Sequence, residues 1–175
     1  MQEKEIYVLL GGNAGEATLC AFANVIHFIR SAFNEAVVTS SMYTSSSWGF
    51  SSEHPFFNQV LRFRCSAKPE VLLERLLEEE ERNGRQRLGV ASGYSDRVID
   101  VDILYIGDEI ISTERLEVPH PRLHLRRFTL LPLQEVAPDF LHPKLRKTHS
   151  ELLVLCNDPS NVQKTPGEEM ENNNK

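Results

Sequence analysis

The sequence predicts an α+β fold, in which an antiparallel sheet carries helices on one of its faces. Two observations favour this class: short β-rich runs alternate with segments of helical periodicity, and glycine or proline turns separate them. The length of 175 residues and the hydrophobic content of 41% suit a single globular domain. We expect this domain to span residues 1–157 and the polar residues 158–175 to form a disordered tail.

The N-terminal part of the chain predicts a strand, a helix and two further strands. A continuous apolar run over residues 6–10 is typical of a buried strand. Apolar residues recur at helical spacing over residues 16–33, which predicts the first helix. A β-rich composition returns over residues 36–43, and alternation over residues 57–65 predicts a half-buried strand.

A second helix follows, and its end leads into a polar loop. Pro69 suits the first turn of a helix, and the apolar stripe of this helix continues to Leu77. We expect the glutamates at residues 78–81 to form its solvated face and its end. Residues 83–96 contain three glycines and show no hydrophobic periodicity, so they predict a functional or mobile loop.

The C-terminal part predicts one more long strand and several smaller elements. Residues 98–106 form the strand, and the glycine turn after it predicts a hairpin with residues 109–111. Residues 119–127 are irregular, whereas residues 130–136 and 149–155 predict short helices. The order β-α-β-β-α-β, with an additional C-terminal hairpin and short helices, indicates a ferredoxin-like core.

The charge of the chain limits the partners that it can bind. A net charge of −6 argues against general binding to nucleic acid or to an anionic membrane, since both require a basic surface. Between Pro69 and Pro143, however, there are nine arginines and no lysine. Because the guanidinium fork binds phosphate or carboxylate in bidentate fashion, this bias favours polyanion recognition. A helix-and-loop surface that uses arginine without any ligand is the alternative.

The cysteine pattern and the lack of a recognisable targeting signal predict a cytoplasmic protein. The three cysteines have no CxxC or histidine-flanked spacing, which argues against a zinc site and a disulfide framework. Residues 1–5 are mixed in charge and do not resemble a secretory signal. No apolar run approaches the roughly 20 residues that a bilayer-spanning helix needs.

Asp100 and Asp102 are the strongest candidates for a functional site. Residues two apart on a strand point to the same side, and the flanking Ile99, Val101 and Ile103 indicate a buried strand. Two carboxylates side by side in such a place repel each other unless a cation is bound, and oxygen ligands favour Mg²⁺. The alternative is that both aspartates lie at the wet end of the strand and cap a neighbouring element.

Arginines close to this pair extend the prediction to phosphate chemistry. Arg85 and Arg87 lie on the glycine-containing loop and Arg97 begins the strand. Metal-bound carboxylates and guanidinium groups together are suited to phosphoryl transfer, because they neutralise charge on the transferred group. An arginine–aspartate salt-bridge network is the structural alternative. The sequence contains neither common phosphate-binding loop motif, so any ATP would be held through arginines and metal.

Aromatic residues and one amide predict a pocket for a flat heterocycle. Trp48, Phe56 and Phe128 could line such a pocket, and Asn58 could provide paired hydrogen bonds. Their alternative role is ordinary core packing. His120 lies between two prolines on a rigid, non-helical segment, where a histidine is more often structural than catalytic.

Six stretches of the sequence follow one another in a specific order: Gly11-Gly12-Asn13, Phe57-Asn58, Gly84-Arg85-Gln86-Arg87, Arg97-Val98-Ile99-Asp100-Val101-Asp102-Ile103-Leu104, Val118-Pro119-His120-Pro121-Arg122 and Leu131-Pro132-Leu133-Gln134-Glu135-Val136-Ala137-Pro138. Together they closely resemble the 6-hydroxymethyl-7,8-dihydropterin pyrophosphokinase family of folate biosynthesis, over about residues 6–155. The arginine and aspartate stretch together with the Val-Pro-His-Pro-Arg stretch is the specific part of this resemblance.

The resemblance implies that pyrophosphate is transferred from ATP to the hydroxymethyl group of a reduced pterin, with release of AMP. We expect the chain to be a monomer. The resemblance also implies two Mg²⁺ ions bound by Asp100 and Asp102, and stabilisation of the transferred group by Arg85 and Arg97. The implied ATP-binding residues are Glu80, Arg87, Tyr94, Ile103, Arg115, His120 and Arg126. The implied pterin-binding residues are Ser45, Trp48, Phe56, Asn58 and Phe128.

The sequence departs from the family pattern in two loops. The family commonly carries an Arg-Trp-Gly-Pro-Arg-like stretch before the aspartates, and this chain has Gly93-Tyr94-Ser95-Asp96-Arg97 instead. Tyr94 would therefore serve in place of the missing arginine. Three serines and Trp48 replace the proline-rich pterin loop.

Two other functions remain as alternatives. One is a non-catalytic small-molecule-binding module, since a ferredoxin-like fold does not determine function. The other is a different kinase that depends on ATP and Mg²⁺. A ligand sensor has no need of two adjacent carboxylates on a buried strand, which favours the enzyme.

Overall fold

A computed structural model describes residues 2–33, 36–49, 52–85 and 96–165. The strands are β1 (Lys4–Gly12), β2 (Val38–Thr39), β3 (Tyr43–Ser45), β4 (Phe56–Cys65), β5 (Asp100–Ile106), β6 (Ile111–Ser112), β7 (Glu117–Val118) and β8 (Val162–Lys164). The helices are α1 (Glu16–Phe33), α2 (Pro69–Arg82), α3 (Arg127–Val136) and α4 (His149–Leu155), with a short 3₁₀ helix at Leu123–Leu125.

The main sheet has the strand order β5-β1-β4-β3-β8, and β2 pairs with β4 beside it. All of its strand pairs are antiparallel. At the end of β1, Gly11 lies opposite Asn58 of β4 and opposite Asp100 of β5. This register brings three strand ends together at one edge of the fold.

One face of the sheet packs against α1 and α2. Ile6, Val8 and Leu10 of β1 point to this face and join a cluster with apolar residues of both helices. Phe22 of α1 and Leu76 of α2 are almost fully buried in it. The helical spacing predicted both helices, but the buried faces leave out some of their apolar residues, since Leu19 of α1 and Val71 of α2 are 42% and 39% exposed.

The other face of the sheet is also covered, by α3 and α4. Tyr7 and Leu9 of β1 pack there with Leu130 of α3 and Leu152 of α4. The expectation of helices on only one face is therefore wrong. The unbroken apolar run over residues 6–10 is explained by this arrangement, because a strand covered on both faces has no polar side.

The predicted hairpin between residues 98–106 and 109–111 is wrong. Within the described residues β5 pairs with β1 alone, and β6 pairs with β7 in a separate two-stranded sheet. The outer edge of β5 is met by a later segment, since His120 N donates to Leu104 O at 2.9 Å. Ile111, the last residue of the predicted hairpin, pairs with Val118 of β7 instead.

The predicted disordered tail differs from the structure over residues 158–165. Here β8 extends the main sheet by pairing with β3, and Thr165 N donates to Met42 O at 2.8 Å. Asp158 Oδ2 accepts a hydrogen bond from Arg127 N at 2.8 Å, at the start of α3. A domain boundary after residue 157 would remove a strand of the sheet. Residues 166–175 lie outside the described residues.

The end of α2 is solvated on one side and buried on the other. Glu78 and Glu81 are exposed, as expected for residues 78–81, whereas Glu79 and Glu80 are only 6% and 3% exposed. Glu80 Oε1 accepts a hydrogen bond from Val101 N at 2.5 Å, and Glu79 forms an ion pair with Arg82. The carboxylate of Glu80 thereby joins α2 to β5. Most of the loop predicted after this helix, residues 86–95, lies outside the described residues.

Two further sequence expectations concern the cysteines and the helices. Cys20, Cys65 and Cys156 are free thiols. Among the described residues, no helix combines the length and the apolar character that crossing a bilayer requires.

A buried group of aromatic and histidine side chains lies between the sheet and α4. His149 is 0% exposed, its Nδ1 lies 2.7 Å from Ala137 O, and its Nε2 lies 3.2 Å from Tyr105 Oη. The neutral ring satisfies both partners by donating from Nδ1 and accepting at Nε2. Burial lowers the pKa of His149 to about 4, because the imidazolium would lose its hydration.

We predict that the free energy of unfolding falls as the pH is lowered from about 6.5 to about 5. The unfolded chain binds a proton at His149 in this window and the folded chain does not, which costs up to about 1.4 kcal/mol per pH unit. Urea unfolding of wild type and His149→Gln at several pH values measures the slope. We expect a shallower slope in His149→Gln and an unchanged one in His27→Gln, which alters an exposed residue of α1. Equal slopes in wild type and His149→Gln would contradict the prediction.

Candidate functional site

A cavity of about 220 Å³ opens at the edge where the ends of β1, β4 and β5 meet. Gly11, Asn58 and the two aspartates of β5 line it from the sheet. Residues from the connections and from the start of α3 complete its walls, as given below. The antiparallel register creates this site, because it places the end of β1 beside the first residues of β4 and β5.

Asp100 and Asp102 lie on the same side of β5, as their spacing predicted. They pair with Gly11 and Leu9 of β1, whereas Val101 between them is 5% exposed and packs on the opposite face. Burial raises the pKa of both carboxyl groups, and the Asp102 carboxylate raises that of Asp100 further. The folded protein therefore pays a cost for holding two negative charges there.

The donor set of this pair suits a hard divalent cation. Both side chains offer only carboxylate oxygens, and a cation would offset their desolvation and mutual repulsion. Among the described residues, no third histidine, cysteine, aspartate or glutamate joins them in a metal-binding group. The remaining ligands of such an ion would have to be water and oxygens of a bound substrate, as is usual for Mg²⁺.

Two arginines flank Asp100. Arg85 Nη2 lies 3.5 Å from Asp100 Oδ1, and Arg97 Nη1 lies 3.3 Å from Asp100 Oδ2. Their side chains are only 22% and 18% exposed. The Nε atoms of both arginines are buried without a hydrogen-bond partner in the described part of the chain. Buried donors with unused capacity, beside a carboxylate pair, are suited to a bound polyanion.

Aromatic rings form part of the wall of this cavity. The guanidinium carbon of Arg126 lies 4.7 Å from the ring centre of Trp48 and 5.6 Å from that of Phe128. That of Arg97 lies 5.5 Å from the ring centre of Phe56. These distances are within the range of cation–π attraction. The wall therefore offers flat apolar surfaces next to positive charge.

Asn58 supplies a fixed amide on the floor of this cavity. It is 2% exposed, and its Nδ2 donates to Ser45 Oγ at 3.0 Å and lies 3.4 Å from Phe56 O. A buried amide held in this way is pre-organised, so it can hydrogen-bond a ligand without first losing side-chain freedom.

A second cavity of about 240 Å³ adjoins the first at the aspartate pair. It shares Asp100, Asp102 and His120 with the first cavity and is also lined by Leu73 and Leu77 of α2. Burial, followed by the nearby Arg126 and Arg122 charges, lowers the pKa of His120 to about 4. The two cavities therefore meet at the carboxylates and at a neutral histidine.

The structure brings most of the predicted site residues together. The first cavity is lined by Ser45, Trp48, Phe56, Asn58, Arg97, Asp100, Asp102, His120, Arg126 and Phe128. The second is lined by Glu80, Ile103 and Arg115 in addition to the shared residues. Arg85 reaches the site through Asp100. Arg87 and Tyr94 lie outside the described residues.

Sequence reasoning missed two residues near the site. Arg122 also lines the first cavity, although it stands in the same short stretch as His120. Its place in the arginine-rich region was the available signal. Asn13, taken as part of a turn, is 3% exposed and exchanges hydrogen bonds with the main chain of Arg97. No periodicity marks such a residue, because its partner is 84 positions away.

Comparison with known proteins places the chain among relatives of one kind. The model of the family described as 7,8-dihydro-6-hydroxymethylpterin-pyrophosphokinase (HPPK) matches residues 7–138. The 2-amino-4-hydroxy-6-hydroxymethyldihydropteridine pyrophosphokinase of Aquifex aeolicus is 36% identical over 146 residues, covering 83% of this chain and 88% of that protein. The protein of the same name from Pseudomonas aeruginosa is 32% identical over 164 residues, covering 94% and 98%.

Other relatives are much longer than this chain. Folic acid synthesis protein FOL1 of Dictyostelium discoideum is 31% identical over 163 residues, which are 92% of this chain and 24% of that protein. The crystal structure of wild-type Plasmodium falciparum HPPK-DHPS with pteroate has a TM-score of 0.67 at 14% identity, covering 88% of this chain and 44% of that one. This last likeness shows the fold alone.

The family match covers most of the described core and includes the aspartate pair, the flanking arginines and His120. The A. aeolicus and P. aeruginosa relatives align over most of their own length. The chain therefore belongs to the 7,8-dihydro-6-hydroxymethylpterin-pyrophosphokinase family.

Proposed function

We propose that this chain transfers the pyrophosphoryl group of ATP to the hydroxymethyl group of 6-hydroxymethyl-7,8-dihydropterin in folate biosynthesis, releasing AMP. The family membership supports the reaction, and one structural observation carries the proposal: two cavities meet at Asp100, Asp102 and His120. Two substrates bound in the two cavities would meet at the carboxylate pair. Holding them there supplies the proximity that a transfer between two bound molecules needs.

The pterin is proposed to occupy the first cavity. Phe56, Phe128 and Trp48 offer flat surfaces for its ring system, and the fixed amide of Asn58 would recognise its polar edge. Ser45, the hydrogen-bond partner of Asn58, lies on the same wall. This chemistry fits a flat heterocycle with hydrogen-bonding groups along one side.

ATP is proposed to enter the second cavity and to extend its phosphates toward the aspartates. Glu80, Ile103 and Arg115 line this cavity, and His120 stands where it meets the first. His120 Nδ1 accepts a hydrogen bond from Arg122 N at 3.2 Å, so the hydrogen of the neutral ring is on Nε2 and can be donated to a phosphate oxygen. Arg126 provides positive charge from the first cavity. We extend the ATP-binding set to Arg87 and Tyr94 on the family resemblance alone.

Asp100 and Asp102 are proposed to hold two Mg²⁺ ions, which would neutralise phosphate charge and polarise the reacting phosphoryl group. The acceptor hydroxyl oxygen attacks the β-phosphorus of ATP and gives up its proton to water, and the bond from that phosphorus to the oxygen bridging to the α-phosphorus breaks. The electron pair leaves with AMP. Arg85 and Arg97, both beside Asp100, are positioned to stabilise negative charge on the transferred group.

We also propose that the core is ferredoxin-like and that the chain acts as a cytoplasmic monomer. Strands β1, β3, β4 and β5 with helices α1 and α2 follow the order β-α-β-β-α-β, and these strands form a continuous antiparallel sheet. β8, α3 and α4 are then additions to this core.

The decisive experiment is incubation with ATP, Mg²⁺ and 6-hydroxymethyl-7,8-dihydropterin, followed by separation of the nucleotides. We expect AMP and the pterin diphosphate in equal amounts, because a pyrophosphoryl group leaves as one unit. ADP as the product would indicate an ordinary kinase and would overturn the proposal. Absence of any nucleotide product, with the pterin still bound, would indicate a binding module instead.

We predict that Asp102→Asn abolishes AMP formation while raising the melting temperature of the metal-free protein. The substitution removes a metal ligand, which should cost at least about 100-fold in kcat. It also removes a carboxylate whose raised pKa shows that its charge is disfavoured in the folded state, so neutralising it should stabilise the fold. Thermal unfolding without Mg²⁺ and the AMP assay measure the two effects. Activity close to wild type would refute the metal-binding role.

We predict that Asn58→Ala weakens pterin binding and leaves ATP binding nearly unchanged. Losing the buried amide should raise the pterin KM about 10- to 100-fold, since a hydrogen bond to a buried group is removed. Steady-state kinetics with each substrate varied in turn separates the two constants. Gln59→Ala is the matched control, because Gln59 neighbours Asn58 on β4 and bonds to Ser40 O instead. An equal change in both KM values would argue against a pterin-specific role.

A further inference from the structure

Asn13, Ser52 and Asp96 form a hydrogen-bonded cluster outside the two cavities, and the proposed reaction gives none of them a role. Asn13 is 3% exposed. Its N–H donates to Arg97 O at 2.9 Å, and its Oδ1 accepts from Arg97 N at 2.8 Å. Both main-chain polar groups of Arg97 are therefore bonded to this single residue.

The remaining contacts determine the orientation of the Asn13 amide. Its Nδ2 donates to Asp96 Oδ1 at 2.6 Å and to Ser52 Oγ at 3.2 Å, and Ser52 Oγ donates to Asp96 Oδ1 at 2.8 Å. A rotated amide would direct NH₂ against the N–H of Arg97 and its oxygen against the Asp96 carboxylate. The Asp96 carboxylate thus keeps Oδ1 of Asn13 directed at Arg97.

The segment after Arg97 is fixed to the same turn. Thr18 Oγ1 donates to Val98 O at 2.8 Å and accepts from Ala14 N at 2.9 Å. A Cβ atom on Gly12 would lie 2.3 Å from Val98 O, so only glycine permits this approach. The main chain of residues 97 and 98 is therefore held against the turn between β1 and α1.

Because the main chain of Arg97 is held in this way, the position of its Cα atom, from which the side chain extends, is fixed. Its guanidinium group lies 3.3 Å from Asp100 Oδ2 and its central carbon lies 5.5 Å from the Phe56 ring centre. An arginine side chain has many conformers, and a fixed main chain reduces the number that can reach the transferred group. Movement of the main chain would displace the guanidinium group from Asp100.

We propose that Asn13 is a positioning residue for Arg97, and that Asp96 and Ser52 act by orienting the Asn13 amide. The proposal rests on the proposed function, in which Arg97 contacts the transferred group. Asn13 itself touches no substrate. Its effect is expected on the rate of transfer rather than on substrate affinity.

The test exchanges the two side chains that face each other. Asn13→Asp places two carboxylates together, so we expect faster exchange of the Arg97 amide hydrogen and a kcat reduced about 10- to 100-fold, as for a misplaced catalytic group. KM for both substrates should change little. Adding Asp96→Asn to Asn13→Asp restores a donor and acceptor pair in reversed positions. This double variant should recover slow amide exchange and most of the kcat.

Controls separate positioning from simple loss of structure. Glu53→Gln changes the charge of the exposed neighbour of Ser52 and should leave kcat and amide exchange unchanged. In an Arg97→Ala background, Asn13→Asp should lower kcat no further, since it acts through Arg97. Equal losses in both backgrounds, or no recovery in the double variant, would overturn the proposal. The amide exchange of Arg97 is measured by NMR without substrates, so it tests the contact even if wild type releases no AMP.

Discussion

Two carboxylates, Asp100 and Asp102, lie two residues apart on a strand that is otherwise apolar, and burial raises the pKa of both. Much of the site can be understood as a response to this electrostatic cost. Arg85 and Arg97 offset part of the charge at Asp100. A bound cation would offset the remaining cost. The carboxylate pair therefore destabilises the metal-free protein and favours binding of a cation.

The fold supports this arrangement by covering both faces of one strand. The face of β1 with Ile6, Val8 and Leu10 packs on α1 and α2, and the opposite face packs on α3 and α4. β1 is thereby packed on both faces. This packing fixes the position of Gly11 relative to Asn58 of β4 and Asp100 of β5, with which it pairs. Precision at the cavities thus comes from buried layers rather than from loops alone.

The sequence predicted correctly the elements that depend on residues close together along the chain. α1 and α4 have the predicted bounds, and the aspartate spacing placed both carboxylates on one side of β5. The errors came from contacts between distant segments. Burial of Glu80 against Val101 N could not be read from a run of glutamates, and the pairing of β8 with β3 joins residues about 120 positions apart. The contact of Asn13 with Arg97, 84 positions away, was missed for the same reason.

The pairing of β8 with β3 also determines which strand forms the edge of the main sheet. β8 supplies hydrogen-bond partners to the outer edge of β3, the strand that ends at Ser45. A chain shortened after residue 157 would leave that edge with unpaired N–H and C=O groups. Such an edge is a template for strand pairing between molecules. β8 becomes the edge in its place, and it is short and carries the exposed Lys164, two features that discourage strand pairing between molecules.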